Sequence, residues 1–317
     1  MRKRVRPMSD EWVRVAAPAT TSNIGAGFDV FGLAIREPYD IVEGRKIESG
    51  LVIDSIEGPG AESIANDPAR NSVTIAAAEV LKRCGADFGL EIRIKKGIRP
   101  CSGIGSSGAS AAGGAYLANL VCGERLSLSE VILCAARAEG FTSGSIHADN
   151  VAPCILGGFT IIRSYEPFEV LRIEPPADLG LVMALPDVMV ATAEARKVLP
   201  REVPVKDLVY HVGHASSLVY AMMAGDLPLI GRAVGDVVFE PARKGLVPHL
   251  AEAERAAMNH GAIVSFLGGS GPCVVSFYDK STHQGEVIAE SVKRVFTENR
   301  IGCDTWVTGC GAGCRRL

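Results

Sequence analysis

No apolar run in this chain of 317 residues approaches the length of a membrane span. None follows the basic tip of Arg2, Lys3, Arg4 and Arg6 either, so the opening does not read as a secretory signal; a solvated or frayed terminus is the expected form. Neither sign of charge is in excess. Thirty-three Lys and Arg stand against 36 Asp and Glu, a formal net charge of −3, and nothing in that balance points to nucleic acid or a membrane as partner. Gly-Lys-Ser and Gly-Lys-Thr are both missing, which excludes a Walker A phosphate loop. Cys-x-x-Cys is missing too, and no histidine stands near Cys303, Cys310 and Cys314, which argues against a zinc site there. The nine cysteines are odd in number and cannot all pair within the chain. Cys101, Cys122, Cys134, Cys154 and Cys273 stand among apolar or small residues and are expected to be buried thiols in a reducing cytoplasm. There is no internal repeat and no low-complexity tract. What remains is the composition of an ordinary soluble protein, 47% hydrophobic and 22% charged, long enough for two domains or one large one.

Apolar spacing divides the chain into strands and helices. Residues 12–17, 30–35, 39–43 and 51–56 read as strands, with Pro18 closing the first and the turn formers of Ala19–Asp29 making a loop. Ser72–Cys84 puts Val73, Ala76, Ala77, Val80 and Leu81 on one helical face, with Asn71 before it as a cap and Gly85 after it. Leu90, Ile92 and Ile94 alternate with Glu91, Arg93 and Lys95, the pattern of a half-buried strand. A helix over 128–139 capped by Ser127 or Ser129, a polar loop over 140–150, and a strand entered through Gly157-Gly158 follow. Pro167–Gly180 is charged and holds prolines; the domain change is expected there, giving residues 1–168 and 169–317. The second part reads as a strand at 181–185, helices at 192–198, 211–225, 227–234 and 249–259, strands at 262–267 and 273–278 around a glycine loop, a helix at 285–300 and a last strand at 306–308. Helices and strands mix without regular βαβ alternation, so the expected class is α+β in two domains. Two glycine loops, one in each half, point to a site at the junction.

The chemistry concentrates in Arg99–Asn119. Three glycines and three serines fall within Ser102–Gly108, and a nearly bulk-free run from Ala109 to Ala118 follows. Alanines favour a helix, and glycines just before a helix start let a phosphate approach backbone N–H groups at the positive end of the helix dipole. Ser106 and Ser107 supply hydroxyls for phosphate oxygens or for a phosphate-bound metal ion. The Gly-x-Gly-x-x-Gly spacing lacks the acidic residue about twenty positions on that a dinucleotide fold needs. The expected role is an anion cradle for a polyphosphate; a flexible loop before an ordinary core helix is the alternative.

Three stretches now stand together in order: Pro18–Asp29, Pro100–Ser110 and Leu267–Pro272. They resemble the three motifs of the GHMP kinases, a family of small-molecule kinases. The family's middle motif, Pro-x-x-x-Gly-Leu-Gly-Ser-Ser-Ala, is approached by Pro100-Cys-Ser-Gly-Ile-Gly-Ser-Ser-Gly, which is one residue tighter and has Gly108 where the family carries alanine. Within the family, Pro18–Ala34, His147–Pro153 (with Ala148 for proline), Thr192–Pro200 and Glu240–Arg243 are similar to segments of the homoserine kinase branch. The resemblance implies an N-terminal domain of the ribosomal protein S5 domain 2 type and a C-terminal domain of the ferredoxin-like type. It also implies a cytoplasmic homodimer that uses ATP and Mg²⁺ to phosphorylate the hydroxyl of L-homoserine. The rivals are another GHMP kinase, acting on mevalonate or shikimate, and a catalytically dead sensor of the same fold.

The resemblance also distributes roles. ATP falls to Pro100, Cys101, Ser102, Gly103, Ile104, Gly105, Ser106 and Ser107, with Asn71, Gly269, Ser270 and Gly271 around it, and Mg²⁺ to Ser107 and Glu139. A zwitterionic acceptor needs a binder for each charge: Arg196 and Arg243 for the carboxylate, Asp29 for the ammonium, with Asn23 beside it. Asn150 stands where base-using relatives carry aspartate and would orient the hydroxyl, with Thr192 as the other catalytic residue. Asp149 receives no role. His147 reads as structural, and His211 and His214 as packing rather than metal ligands.

Overall fold

The computed structural model describes residues 7–143 and 146–317; the basic tip at 2–6 and positions 144–145 of the expected polar loop lie outside the described residues. The first half runs β1 (Val13–Ser22), β2 (Phe31–Ile47), β3 (Leu51–Glu57), α1 (Ser72–Cys84), β4 (Gly89–Lys95), α2 (Ser106–Val121), α3 (Leu128–Ser143), α4 (Val151–Leu156), β5 (Phe159–Tyr165) and β6 (Phe168–Ile173). The second runs β7 (Leu179–Pro186), α5 (Thr192–Lys197), α6 (Val205–Ala224), α7 (Leu227–Ala233), α8 (Phe239–Arg243), α9 (Leu250–Asn259), β8 (Ala262–Leu267), β9 (Val274–Asp279), α10 (Gly285–Glu298) and β10 (Cys303–Gly309), and β11 (Arg315–Arg316) closes the chain.

The first sheet has the order β11-β1-β2-β4-β3, with β5 on β2 and β6 on β5; among the described residues only its β3–β4 pair is parallel. The alternation in β4 does what its period requires: Leu90, Ile92 and Ile94 are buried, while Arg93 pairs with Asp54 on the other face at 2.7 Å. Small side chains let α2 run close over β1 and β2 between α1 and α3, with Ala109, Ala111, Ala112, Ala115 and Ala118 fully buried. Asn71 caps α1 by accepting the Val73 N–H at 3.0 Å, and Ser127 with Glu130 forms a capping box at α3. The second sheet is antiparallel in the order β10-β7-β9-β8, the ferredoxin-like arrangement of a βαββαβ chain.

The structure departs from the sequence reading in several places. Pro18 does not end β1. It pairs with Tyr39, the register shifts before Thr20, and the strand continues to Ser22, because a bulge tolerates a residue without an N–H. The two strands expected at 30–35 and 39–43 are one, β2. The expected division at 168/169 falls inside the β5–β6 hairpin: β6 completes the first sheet, and the second sheet starts at Leu179. The short helices α4 and α8, of six and five residues, lack the length to show a period. Cys101 is exposed rather than buried, on a backbone turn with φ 57°, whereas Cys122, Cys134, Cys154 and Cys273 are buried. All nine cysteines are free, and no group of residues suited to hold a metal by itself occurs among the described residues.

Candidate active site

A cleft of about 280 Å³ lies where the end of β1, the start of α2, Glu139 of α3, the segment before α4, α5, α8 and the Gly269–Ser270 loop converge. The side suited to an anion is the start of α2. Gly105, at φ 70°, precedes the helix and offers no side-chain cap, so the first N–H groups of a 16-residue helix are left for another partner. The loop glycines have a further cause. A Cβ on Gly103 would stand 2.6 Å from the Gly271 carbonyl oxygen, and one on Gly105 would stand 2.1 Å from Thr20 Oγ1. Bare backbone is what lets all three motif loops meet.

Ser102 Oγ is buried on this side without a hydrogen-bond partner among the described residues, and Ser106 Oγ donates to the Ile98 carbonyl at 3.0 Å. Glu139 is hydrogen-bonded by Ser107; burial, and then the charge of Asp149, pushes its carboxyl up to about 7 against the pull of Ser107 and Lys96. A lone hydroxyl, uncapped helix amides and a buried carboxylate beside a serine suit a triphosphate with a hard divalent cation, which would offset the cost of burying Glu139. Beneath them Lys96 Nζ pairs with the buried Asp40 carboxylate and donates to Ser110 Oγ at 2.9 Å and the Ser106 carbonyl at 3.3 Å. Asp40 also accepts the N–H groups of Gly97 and Ile98, each at 3.0 Å. Burial raises its carboxyl pKa against the pull of Lys96.

The opposite side carries charge of both signs. Arg196 Nη2 donates to Asp29 Oδ1 and Oδ2 at 3.0 and 3.3 Å, and lies 3.2 Å from His147 Nδ1. Burial, and then the Arg196 guanidinium, lowers the His147 pKa. Asn23 Oδ1 accepts the Asp29 N–H at 2.8 Å, and its Nδ2 donates to the Gly269 carbonyl at 3.1 Å. Arg243 is 3% exposed; it donates to the Gly269 and Ala195 carbonyls at 2.9 and 3.3 Å. Asn150 sits between the two sides, locked by β1: its Oδ1 accepts Thr20 Oγ1–H at 2.8 Å and its Nδ2 donates to Ser22 Oγ at 3.0 Å. Asp149 also lines the cleft, and burial, then the charge of Asp29, raises its carboxyl to about 6.

The structure thus brings Asn23, Asp29, Asn150, Thr192, Arg196 and Arg243 to one cleft with Glu139, Gly269 and Ser270. Pro100, Cys101, Ser102, Gly103, Gly105, Ser106 and Ser107 line it from the α2 side. Asn71, Ile104 and Gly271 do not line it. Asn71 is buried, its amide accepting the Val73 N–H at 3.0 Å and donating to the Ala65 carbonyl at 2.9 Å, and Ser72 and Ile64 face the cleft in its place. Ile104 points into the core, and Gly271 stands behind Gly103. Sequence reasoning set His147 and Asp149 aside and missed Lys96, Asp40, Thr20 and Ser22. Thr20 and Ser22 fall within the Pro18–Asp29 motif, and His147 and Asp149 within the His147–Pro153 segment, whereas no local pattern marks Lys96 or Asp40.

A second acidic pair buttresses the loop at Gly268. Glu240 Oε2 accepts the Leu267 N–H at 2.8 Å, and Glu254 of α9 packs against it. Burial, and then the Glu240 charge, raises the Glu254 carboxyl to about 8. Its proton is held more tightly in the folded chain than in the unfolded one. The stability this gives is therefore fully present below the ordinary carboxyl value and is lost as pH rises towards 8. Glu254→Gln stays neutral throughout. Thermal melts should place its midpoint above that of the unsubstituted chain near pH ~9 and remove the advantage near pH ~4; an equal difference at both pH values would refute the shift.

The family model for the GHMP kinases N terminal domain matches residues 71–158, and the model for the GHMP kinases C terminal matches residues 218–297. Among curated proteins, the homoserine kinase of Methanococcus maripaludis is 41% identical over 305 residues, covering 95% of this chain and 97% of that one. The homoserine kinase of Pyrococcus horikoshii is also 41% identical, covering 96% and 99%. Among solved structures, homoserine kinase from Cytophaga hutchinsonii superposes with a TM-score of 0.91 at 35% identity, covering 98% of this chain and 99% of that one. Lactococcus lactis galactokinase, at 15% identity and a TM-score of 0.72, shares the fold.

Proposed function

The chain belongs to the GHMP kinase family, and from that premise we propose that its cleft transfers the γ-phosphoryl group of ATP to the hydroxyl of L-homoserine, giving O-phospho-L-homoserine on the way to threonine. The observation that carries the choice of acceptor is the cluster of Asp29, Arg196 and Arg243 facing the serine loop across one cleft. Here Asp29 and Arg196 neutralise each other. A zwitterion can exchange that one pair for two, its ammonium on Asp29 and its carboxylate on Arg196 and Arg243. Mevalonate and shikimate carry a carboxylate but no ammonium and would leave Asp29 unmatched.

The N–H groups at the start of α2 and the hydroxyl of Ser102 receive the phosphates. Ser107 and Glu139 would hold Mg²⁺, which supplies charge neutralisation of the phosphates when bound. Asn150, fixed by Thr20 and Ser22, orients the substrate hydroxyl; the hydroxyl oxygen forms the new bond to phosphorus, its proton passes to an oxygen of the transferred phosphoryl group, and the bridging oxygen leaves with ADP. Thr192, at the N-terminus of α5, stands at the rim as the other catalytic residue. ADP release over a panel of homoserine, mevalonate, shikimate and galactose tests the reading. Turnover of homoserine alone is expected; preference for another acceptor, or binding without turnover, would replace it with one of its rivals.

Arg196→Ala should raise the homoserine KM by about 10- to 100-fold, the worth of a charge-assisted contact, and leave the ATP KM unchanged. A rise in the ATP KM instead would move Arg196 to the phosphate side.

We also infer a homodimer. The outer face of α6 presents Val205, Leu208, Val209, Val212, Tyr220 and Met223, each more than half exposed, and small Gly213 and Ser216 at its middle would let two copies cross closely. Sedimentation of the intact chain tests this. No helix among the described residues is long and apolar enough to cross a membrane; the cytoplasm is our reading from the amino-acid substrate.

A further inference from the structure

The segment that leads into α8 is clamped from both sides. On one side is α6, where Tyr210 and His214 stack at 3.7 Å under Gly235; a Cβ there would stand 2.5 Å from Tyr210 Oη. On the other side is the first motif loop, where a Cβ on Gly25 would stand 2.7 Å from the Gly235 nitrogen. The next residue, Asp236, is nearly buried. Its Oδ1 accepts the N–H groups of Val238 and Phe239, and its Oδ2 accepts that of Glu240, all at 2.8 Å. That carboxylate therefore sets the start of the helix that ends in Arg243.

His211 of α6 reads this turn directly. Its Nε2 lies 3.2 Å from Asp236 Oδ1, to which it donates when it carries the ring proton, and 3.4 Å from the Val237 nitrogen, whose N–H it accepts when it does not; its ring meets Phe239 edge-on at 5.5 Å. Phe239 stacks on Phe28 at 3.9 Å and 10°. The Phe28 ring in turn lies 5.3 Å from the Arg243 guanidinium and 5.9 Å from that of Arg196. A continuous chain of contacts thus runs from α6 to both arginines, although neither His211 nor Asp236 lines the cleft.

We propose that His211 and Asp236 are positioning residues for the acceptor site: they hold the turn before α8 and the Phe239–Phe28 stack so that Arg243 and Arg196 meet the substrate carboxylate. The proposal rests on the carboxylate role given to those arginines above. It assigns to α6 a task in acceptor selection in addition to any task of its outer face. Glutamine can both donate and accept at the place of the imidazole edge, whereas leucine fills the space and does neither.

The test compares the intact chain with His211→Leu, His211→Gln and Asp236→Ala by steady-state kinetics and by hydrogen exchange at the amides of Val238, Phe239 and Glu240. His211→Leu should raise the homoserine KM by about tenfold with the ATP KM and kcat little changed, the scale of one lost hydrogen bond. The three amides should exchange faster, and His211→Gln should restore both quantities. Asp236→Ala should show the larger effect of the same kind; if it fails to fold, the two His211 variants decide. Unchanged exchange and KM in His211→Leu would overturn the proposal, as would a parallel rise in the ATP KM. If the unsubstituted chain fails to phosphorylate homoserine, the acceptor assignment falls, and the exchange rates still decide whether His211 holds the turn.

Discussion

Glu139→Gln is expected to lower kcat by about a hundredfold or more at saturating ATP and homoserine, because the Mg²⁺ proposed beside the phosphates would lose the charged ligand assigned to it. The geometry favours a clean result. Glutamine has the shape of glutamate, and Ser107 can still hydrogen-bond to its amide oxygen. Burial already disfavours the charge at this position, so a neutral amide removes a cost and leaves the fold intact. Turnover measured over a series of Mg²⁺ concentrations, with a thermal melt beside it, separates the effects. Near-normal turnover at saturating Mg²⁺ would take Glu139 out of the site.

Asn150→Ala should be equally severe, and Asp149→Asn mild in kcat. A general base contributes on the order of 10²–10⁴ in rate, so the two variants discriminate sharply between mechanisms. Asn150 has its amide fixed at both ends, by Thr20 at 2.8 Å and Ser22 at 3.0 Å, which is the rigidity a group needs to orient a hydroxyl. Phosphoryl transfer depends mainly on positioning and charge stabilisation, so a fixed amide can suffice without a base. Asp149 lies next to it with a carboxyl held near 6 by burial and by Asp29. Its charge adds to the negative potential that an ammonium would feel, and its removal should therefore appear in the homoserine KM. A crippled Asp149→Asn beside an active Asn150→Ala, both folded by circular dichroism, would reverse the assignment.

The elements that local chemistry dictates were legible before any coordinates. The alternation of Leu90–Lys95, the apolar face of Ser72–Cys84 with its Asn71 and Gly85 caps, and the glycine–serine loop running into a small-residue helix each depend on residues within a few positions of one another. So do the three motif stretches, which is why the resemblance to the family, and with it most of the residues that line the cleft, was legible in the sequence.

What tertiary structure decided depends on pairs far apart in the chain. Lys96 meets Asp40 across 56 positions, Asn150 meets Thr20 across 130, and Arg196 meets Asp29 across 167. No local pattern encodes such pairings, because a lone charge or amide looks the same in sequence whether it ends on the surface or in a site. The continuation of β1 beyond Pro18 was likewise decided by its neighbour β2, which carries the strand through a bulge that proline by itself would forbid. The sequence alone suggested which residues could bind a phosphate and a zwitterion; the packing of the two sheets and of α6 decided which of them face each other, since burial favours a partner for a polar group wherever in the chain that partner lies.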